Sequence, residues 1–227
     1  FYANEFMSIY MLYKENKIYT ISLNIPITTR CTLRCEKCMA LMPYVKNPRN
    51  VPLEEIKEEL ETYFRWVSYV GILGIGGGDV LVHPQFEEIL EYICSNYVGK
   101  KINDVEIYTN AIIMPSEKIL DICQKYDVIF RFSDYSKTIP GRQKISELIS
   151  ILDKRKIRYD RAVWDTWYDI GFPQESNGIK GENELKAHYD KCITKLCAIA
   201  ADKKLFFCSV HASAVLAGYC DINKSDY

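Results

Sequence analysis

The 227-residue chain lacks any uninterrupted apolar run of the ~18 residues that a membrane-spanning helix needs. It has no Lys/Arg-rich run either. Its 29 basic side chains are offset by 30 acidic ones, for a net charge of −1 and a pI near 6.4. That balance excludes the concentrated positive surface with which a protein holds nucleic acid. The N-terminal Phe-Tyr-Ala-Asn-Glu-Phe has neither an initiator Met nor the basic-then-apolar profile of a signal peptide, and reads as a fragment or processed start. Internal repeats and low-complexity tracts are missing too. The length suits one domain of ordinary size, with or without a small appendage. What the chain has in plenty is cysteine, nine in all and unevenly placed. Three lie together near the N-terminus, Cys94 and Cys123 are isolated, and Cys192, Cys197, Cys208 and Cys220 gather at the C-terminal end. Without a secretion signal, clustered thiols favour metal or redox chemistry over a disulfide framework, and the reducing cytoplasm is the expected compartment.

Strand-like and helix-like segments alternate from residue 17 to about 163. The β-branched stretch Ile18 to Ile25 leads into the first cysteine group. Pro52 opens a helix, as proline does well in a first turn. Leu53, Ile56, Leu60, Phe64 and Val67 then recur at spacings of three and four, an apolar stripe opposite glutamates. Further strands are predicted over 70–75, 105–108, 128–132 and 157–163. Helices are predicted around Phe86–Ile93, Ile119–Cys123 and Ile145–Leu152. Such βα units argue for a parallel sheet with right-handed helical crossovers. The fold class read from this order is α/β. Residues 164–184 read as loop, and Lys204 to Cys208 as strand-like.

The first cysteine group is Cys31-Thr32-Leu33-Arg34-Cys35-Glu36-Lys37-Cys38, a C-x3-C-x2-C loop after a strand. Three thiolates cannot fill a four-coordinate zinc site alone, and no fourth ligand lies nearby. They suit a cubane iron–sulfur cluster with one iron left open; a zinc knuckle or a chance grouping of thiols is the plain alternative. The loop resembles the cluster-binding motif of the radical S-adenosylmethionine (radical SAM) superfamily. The resemblance covers roughly residues 17 to 215. It implies a partial (β/α)6-type open barrel, a [4Fe-4S] cluster on Cys31, Cys35 and Cys38, and SAM bound at the open iron. It also implies an electron donor of flavodoxin or ferredoxin type.

In the family the strand ends build the SAM site, as in other parallel barrels. Gly76-Gly77-Gly78-Asp79-Val80 resembles the family's glycine-glycine-glutamate segment, whose backbone meets the SAM amino group. Asp79 stands where glutamate is usual and Val80 where proline is common. Thr109-Asn110-Ala111 is similar to the threonine-asparagine-glycine turn, where Asn110 either ties the turn or contacts ligand. Period-two alternation puts Arg131 and Ser133 on one strand face, positions the family uses for the SAM carboxylate and ribose. A surface ion pair is the alternative for Arg131. Trp164-Asp165 and Trp167-Tyr168-Asp169 either wall the adenine or substrate pocket or cap the barrel mouth. Lys37 replaces the aromatic that packs near adenine in the family, so that role passes elsewhere or is absent. His83 reads as a turn residue, and Cys94 and Cys123 as small buried apolar groups.

Cys192, Cys197, Cys208 and Cys220 place four thiols within 29 residues, enough for a second, fully ligated [4Fe-4S] cluster or for zinc. The segment from Cys197 through Cys208 resembles the start of a twitch or SPASM extension. Two parts are therefore expected, a core over 17–184 and a cysteine-rich extension over 185–227, with Cys220 also a candidate hydrogen donor. The expected activity is reductive SAM cleavage with hydrogen abstraction from a substrate. A chain of this length reads as leaving no room for a leader-binding domain. That favours oxidation or epimerisation of a small metabolite, such as a sugar or amino sugar. Modification of a ribosomal peptide, glycyl-radical activation of a partner enzyme, and a non-catalytic metal-binding module are the other readings.

Overall fold

The computed structural model describes residues 17–166, 181–192, 198–206 and 208–220. Alternation organises the sheet. Leu23, Ile25 and Ile27 of β1 (Tyr19–Thr28), Leu73 and Ile75 of β2 (Tyr69–Gly77), and Val105 and Ile107 of β3 (Ile102–Thr109) are buried on one face. Phe130 and Phe132 of β4 (Ile129–Asp134) continue that face, and β5 (Tyr159–Val163) pairs with β4. All four pairings from β1 to β5 are parallel. The crossover helices are α1 (Leu53–Tyr63), α2 (Phe86–Tyr97), α3 (Glu117–Tyr126) and α4 (Ile145–Arg155). Their apolar stripes, such as Ile89, Leu90 and Ile93 on α2, join the same core as the strands. Pro52 is the N-cap of α1, and Ser116 caps α3 by accepting from the Ile119 N–H at 3.2 Å. Asp127 and Lys156 close α3 and α4 in the left-handed conformation.

The opposite sheet face is polar or bare. Register aligns Asn24 with Gly74, Gly74 with Glu106, Tyr108 with Arg131, and Arg131 with Asp160. This face, free of crossover helices, is the one on which a ligand can lie.

Two departures from the sequence reading bear on the site. The stretch read as loop over 164–184 gives way to α5 (Glu182–Lys191), which starts inside it. Trp167, Tyr168 and Asp169 lie outside the described residues. A short strand β6 (Ile199–Ala201) forms with β7 (Lys204–Phe206) a hairpin turned by Asp202 and Lys203, both at positive φ. The sheet order is β5-β4-β3-β2-β1-β6-β7, so the sixth strand runs parallel beside β1 and not after β5. Three residues are too few for a period to be visible. Helix α6 (Ser209–Ala217) follows, with Cys208 at its N-cap and Gly218 closing it at φ 77°. Among the described residues no helix is long and apolar enough to cross a membrane.

Candidate functional site

The end of β1 runs straight into the thiol loop, and that loop is wound by its own backbone. The Cys38 N–H donates to Cys35 O at 3.1 Å and the Leu41 N–H to Cys38 O at 2.9 Å, while the Leu33 N–H points at Cys31 Sγ. Burial pushes the Cys31 thiol up and carries Cys35 up to about 11, with the neighbouring thiols adding to the rise. Thiols so placed stay protonated at neutral pH until a metal displaces the proton.

Gly77 and Gly78 hold this loop in place, for a reason other than the one the sequence suggested. The Gly78 N–H donates to Thr28 O at 2.8 Å and the Asp79 N–H to Arg30 O at 3.0 Å. A Cβ at Gly77 (φ 109°) would collide with the Thr28 carbonyl, and one at Gly78 with the Arg30 carbonyl. The first demand on these glycines is thus close approach between two backbones, one of which carries Cys31. Both glycines also line the cavity described below.

Asp79 faces the protein. Its carboxylate accepts from the Leu81 N–H (3.0 Å), the Asn110 N–H (2.9 Å) and the Thr109 hydroxyl, and only 1 % of it is exposed. Burial raises its pKa against those three donors. The side chain positions Asn110 and presents no free edge to a cofactor, which corrects the cofactor-binding role expected for it. Asn110 in turn ties the turn after β3. It donates to Thr32 Oγ1 at 2.9 Å and to Cys31 Sγ at 3.5 Å, and its Oδ1 accepts from the Ile112 N–H. It ties the turn, one of the two roles the sequence left open, and it also touches the thiol loop.

Ser133 lines the same cavity, whereas Arg131 does not. The Arg131 guanidinium donates to Asp160 at 2.6 Å and Glu106 at 3.2 Å, so the ion-pair alternative describes it and the SAM-carboxylate role does not. Gln143 carried no signal in the sequence, since it sits in an aperiodic stretch. Its amide donates to Asn110 O (2.6 Å) and Ser133 O (2.7 Å) and accepts from the Tyr135 N–H (2.7 Å), locking the ends of β3 and β4 together. His83 is a turn residue, accepting from the Gln85 N–H. Cys94 and Cys123 are buried in the core.

These elements enclose a cavity of about 400 Å³. Cys31, Cys35 and Cys38 line it together with Gly77, Gly78, Asn110 and Ser133, and Tyr135, Tyr108, Trp164, Met39 and Met42 complete the wall. Burial, with the three thiols adding, pushes the Tyr135 phenol up to about 12. Lys37 is exposed and outside this wall, while Tyr135 and Trp164 supply flat surfaces within it. Among the described residues no three metal-ligating side chains close on a single ion, the loop thiols included. Three thiols around one cavity fit a polynuclear cluster held at three corners with the fourth facing the open space.

In the C-terminal group, Cys192 follows α5, Cys208 caps α6 and Cys220 is exposed beyond it. Cys197 lies outside the described residues.

Residues 25–163 match the model of the Radical SAM superfamily. The chain is 35% identical over 98 residues to GTP 3',8-cyclase of Pelotomaculum thermopropionicum, covering 41% of this chain and 28% of that one. It is 32% identical over 93 residues to the antilisterial bacteriocin subtilosin biosynthesis protein AlbA of Bacillus subtilis, covering 41% and 19%. To the probable GTP 3',8-cyclase of Methanocaldococcus jannaschii it is 26% identical over 211 residues, covering 77% and 69%. The chain thus spans less than a third of the length of the first two of these relatives. Its fold is similar to that of BtrN, solved in complex with AdoMet and 2-DOIA, with a TM-score of 0.58 and 12% identity over 87% of this chain and 76% of that one. With the thiol loop, the glycine turn and strands β2 to β5 inside the matched span, the chain belongs to the radical SAM superfamily, whose cofactors are a [4Fe-4S] cluster and SAM.

Proposed function

We propose that this chain reductively cleaves SAM and oxidises or epimerises a small metabolite of sugar or amino-sugar type. The observation that carries the reading is the pair of adjoining cavities. One is lined by all three loop thiols; the other, of about 260 Å³, shares Met39, Gly77 and Tyr108 with it. Cys31, Cys35 and Cys38 hold the cluster, and Gly77, Gly78, Asn110 and Ser133 surround the SAM. Tyr135 and Trp164 take over the adenine contact that Lys37 cannot make. Bound and reduced, the cofactor pair supplies a primary carbon radical able to take hydrogen from an unactivated C–H bond. The chain's own task is to exclude water and to hold the substrate carbon beside that centre.

The reading divides the chain into a core over 17–184 and a C-terminal segment over 185–227, in which Cys192, Cys197, Cys208 and Cys220 hold a second cubane. An electron donor of flavodoxin or ferredoxin type serves the first cluster. A peptide substrate is the second reading, favoured by the 32% identity to a protein named for subtilosin biosynthesis.

Anaerobic reconstitution with iron and sulfide, followed by reduction in the presence of SAM, tests the proposal. It should yield 5′-deoxyadenosine and about eight irons per chain, four for each cubane. The triple variant Cys31→Ala, Cys35→Ala, Cys38→Ala should keep about four irons and make no 5′-deoxyadenosine. Wild-type protein that loads iron yet never cleaves SAM overturns the activity. A triple variant that is colourless and holds only zinc overturns the second cluster.

A further inference from the structure

The smaller cavity has its own chemistry. Its polar lining comes from Asn24 on β1 and from Ser209 and Ser213 on α6, and no charged side chain among the described residues lines it. Ser213 is only 6 % exposed. Neither its hydroxyl nor the Asn24 side-chain amide has a hydrogen-bond partner among the described residues, although the Asn24 backbone is held by Ala198 O at 3.0 Å. Asn24 is half-buried and lines the cavity with Ser213, so both groups can offer hydrogen bonds to a molecule held there.

Glycine lets Asn24 and Tyr108 close down on the sheet beside this cavity. A Cβ at Gly74 would collide with Asn24 Oδ1 and stand 2.7 Å from Tyr108 Cε2, and one at Gly76 would stand 3.2 Å from Tyr108 Cδ2. Asn24 and Tyr108 therefore lean over a floor without side chains. The Tyr108 hydroxyl is engaged by Glu106 at 2.9 Å, which leaves the ring as an apolar wall.

We propose that Asn24 and Ser213 are specificity-determining residues that select an uncharged amide group on the substrate. The carboxamide of Asn24 offers an acceptor and donors in one plane, the complement of an amide C=O and N–H, and the Ser213 hydroxyl adds a third bond. An ammonium or a phosphate would enter without a counter-charge from this lining. The cavity thus takes an N-acylated amino sugar or a peptide unit, and rejects a free amino sugar or a nucleotide triphosphate. This inference rests on the proposed function, because the cavity is read as its substrate site.

The experiment follows the side-chain amide resonances of Asn24 in ¹⁵N-labelled full-length protein, assigned by their loss in Asn24→Leu. N-acetylglucosamine and N-acetylalanine methylamide are titrated, with glucose and glucosamine as controls. Either amide probe should shift these resonances and bind at least tenfold more tightly than both controls. The tighter of the two identifies a sugar or a peptide source. The double variant Asn24→Leu, Ser213→Ala should weaken the preferred probe at least tenfold, read on the neighbouring backbone resonances. If the double variant does not fold, the ranking of the four probes on wild type decides alone. Glucose binding as well as the amides, or a folded double variant that binds like wild type, overturns the inference, as does a cavity that takes none of the four. Binding needs no cluster, so the two readings fail separately. Wild type that cleaves SAM but ignores the amides sinks only this site. Protein that ranks the probes as expected but never cleaves SAM sinks only the radical activity.

Discussion

Two cavities of equal size, about 260 Å³, share Pro26 and Leu216 as lining residues and differ in almost everything else. One is the uncharged cavity between β1, Tyr108 and α6. The other lies between α1 and the β6–β7 turn and is crowded with charge, having Arg49, Glu55, Glu59, Asp202 and Lys203 in its walls. There most of the charges satisfy one another, Glu59 excepted. Arg49 bridges Glu55 (2.9 Å) and Asp202 (3.0 Å), and Lys203 reaches Glu58 at 2.8 Å. The Arg49 backbone also pairs with Thr29 just before the thiol loop. The crowded cavity is a clasp that holds the β6–β7 hairpin on α1, whereas the quiet one has Asn24 and Ser213 in its wall and no charged side chain. Charge density alone is thus a poor guide to a binding site here.

The largest effect should separate both cavities from the thiol loop. Single replacement of Cys31, Cys35 or Cys38 by alanine should abolish 5′-deoxyadenosine formation, since a three-thiolate site fails with any ligand gone. Lys203→Ala, in the clasp, should leave it unchanged. A clasp variant as inactive as a thiol variant would erase the contrast.

Next come the glycines. Gly78→Ala drives a Cβ into the Arg30 carbonyl and should cost roughly 1–3 kcal/mol of stability. Because Arg30 precedes Cys31, iron loading should fall along with SAM affinity. Full loading with SAM affinity alone reduced, read by iron analysis beside equilibrium binding, would return Gly78 to a pure cofactor role.

Glu59 is the clasp's weak point. Among the described residues its Oε1 is buried without a partner, and burial, with Asp202 adding, raises its pKa to about 7. The folded state then binds more protons than the unfolded chain between about pH 4.3 and 7, so this residue's contribution to stability falls as pH rises through that window. Glu59→Gln should therefore raise stability by roughly 1–2 kcal/mol at pH 8 and change it little at pH 4, as thermal unfolding at the two pH values would reveal. Equal effects at both would show that Glu59 ionises freely. The smallest effect belongs to Lys203→Ala, whose ion pair with Glu58 is exposed and screened by solvent, so the thermal midpoint should not move measurably. A clear fall in the thermal midpoint would make the clasp a main support of the hairpin.

The sequence by itself determined whatever depends on near neighbours. The βα alternation from β1 to β5, the apolar stripes of α1 to α4 and the C-x3-C-x2-C loop were all legible, because helix period, strand period and ligand spacing act within one element. The importance of Gly77, Gly78 and Asn110 was also visible, though not the contacts behind it. Tertiary structure alone decided the rest. Glu106 and Asp160 claimed Arg131 through strand register, and Asp79 was turned inward by the end of β3. The short β6 chose the free edge of β1, which carried α6 over that edge and set Ser213 opposite Asn24 in one cavity. Those partners are far apart along the chain, and only the order and register of the sheet bring them together, so no local pattern could announce them.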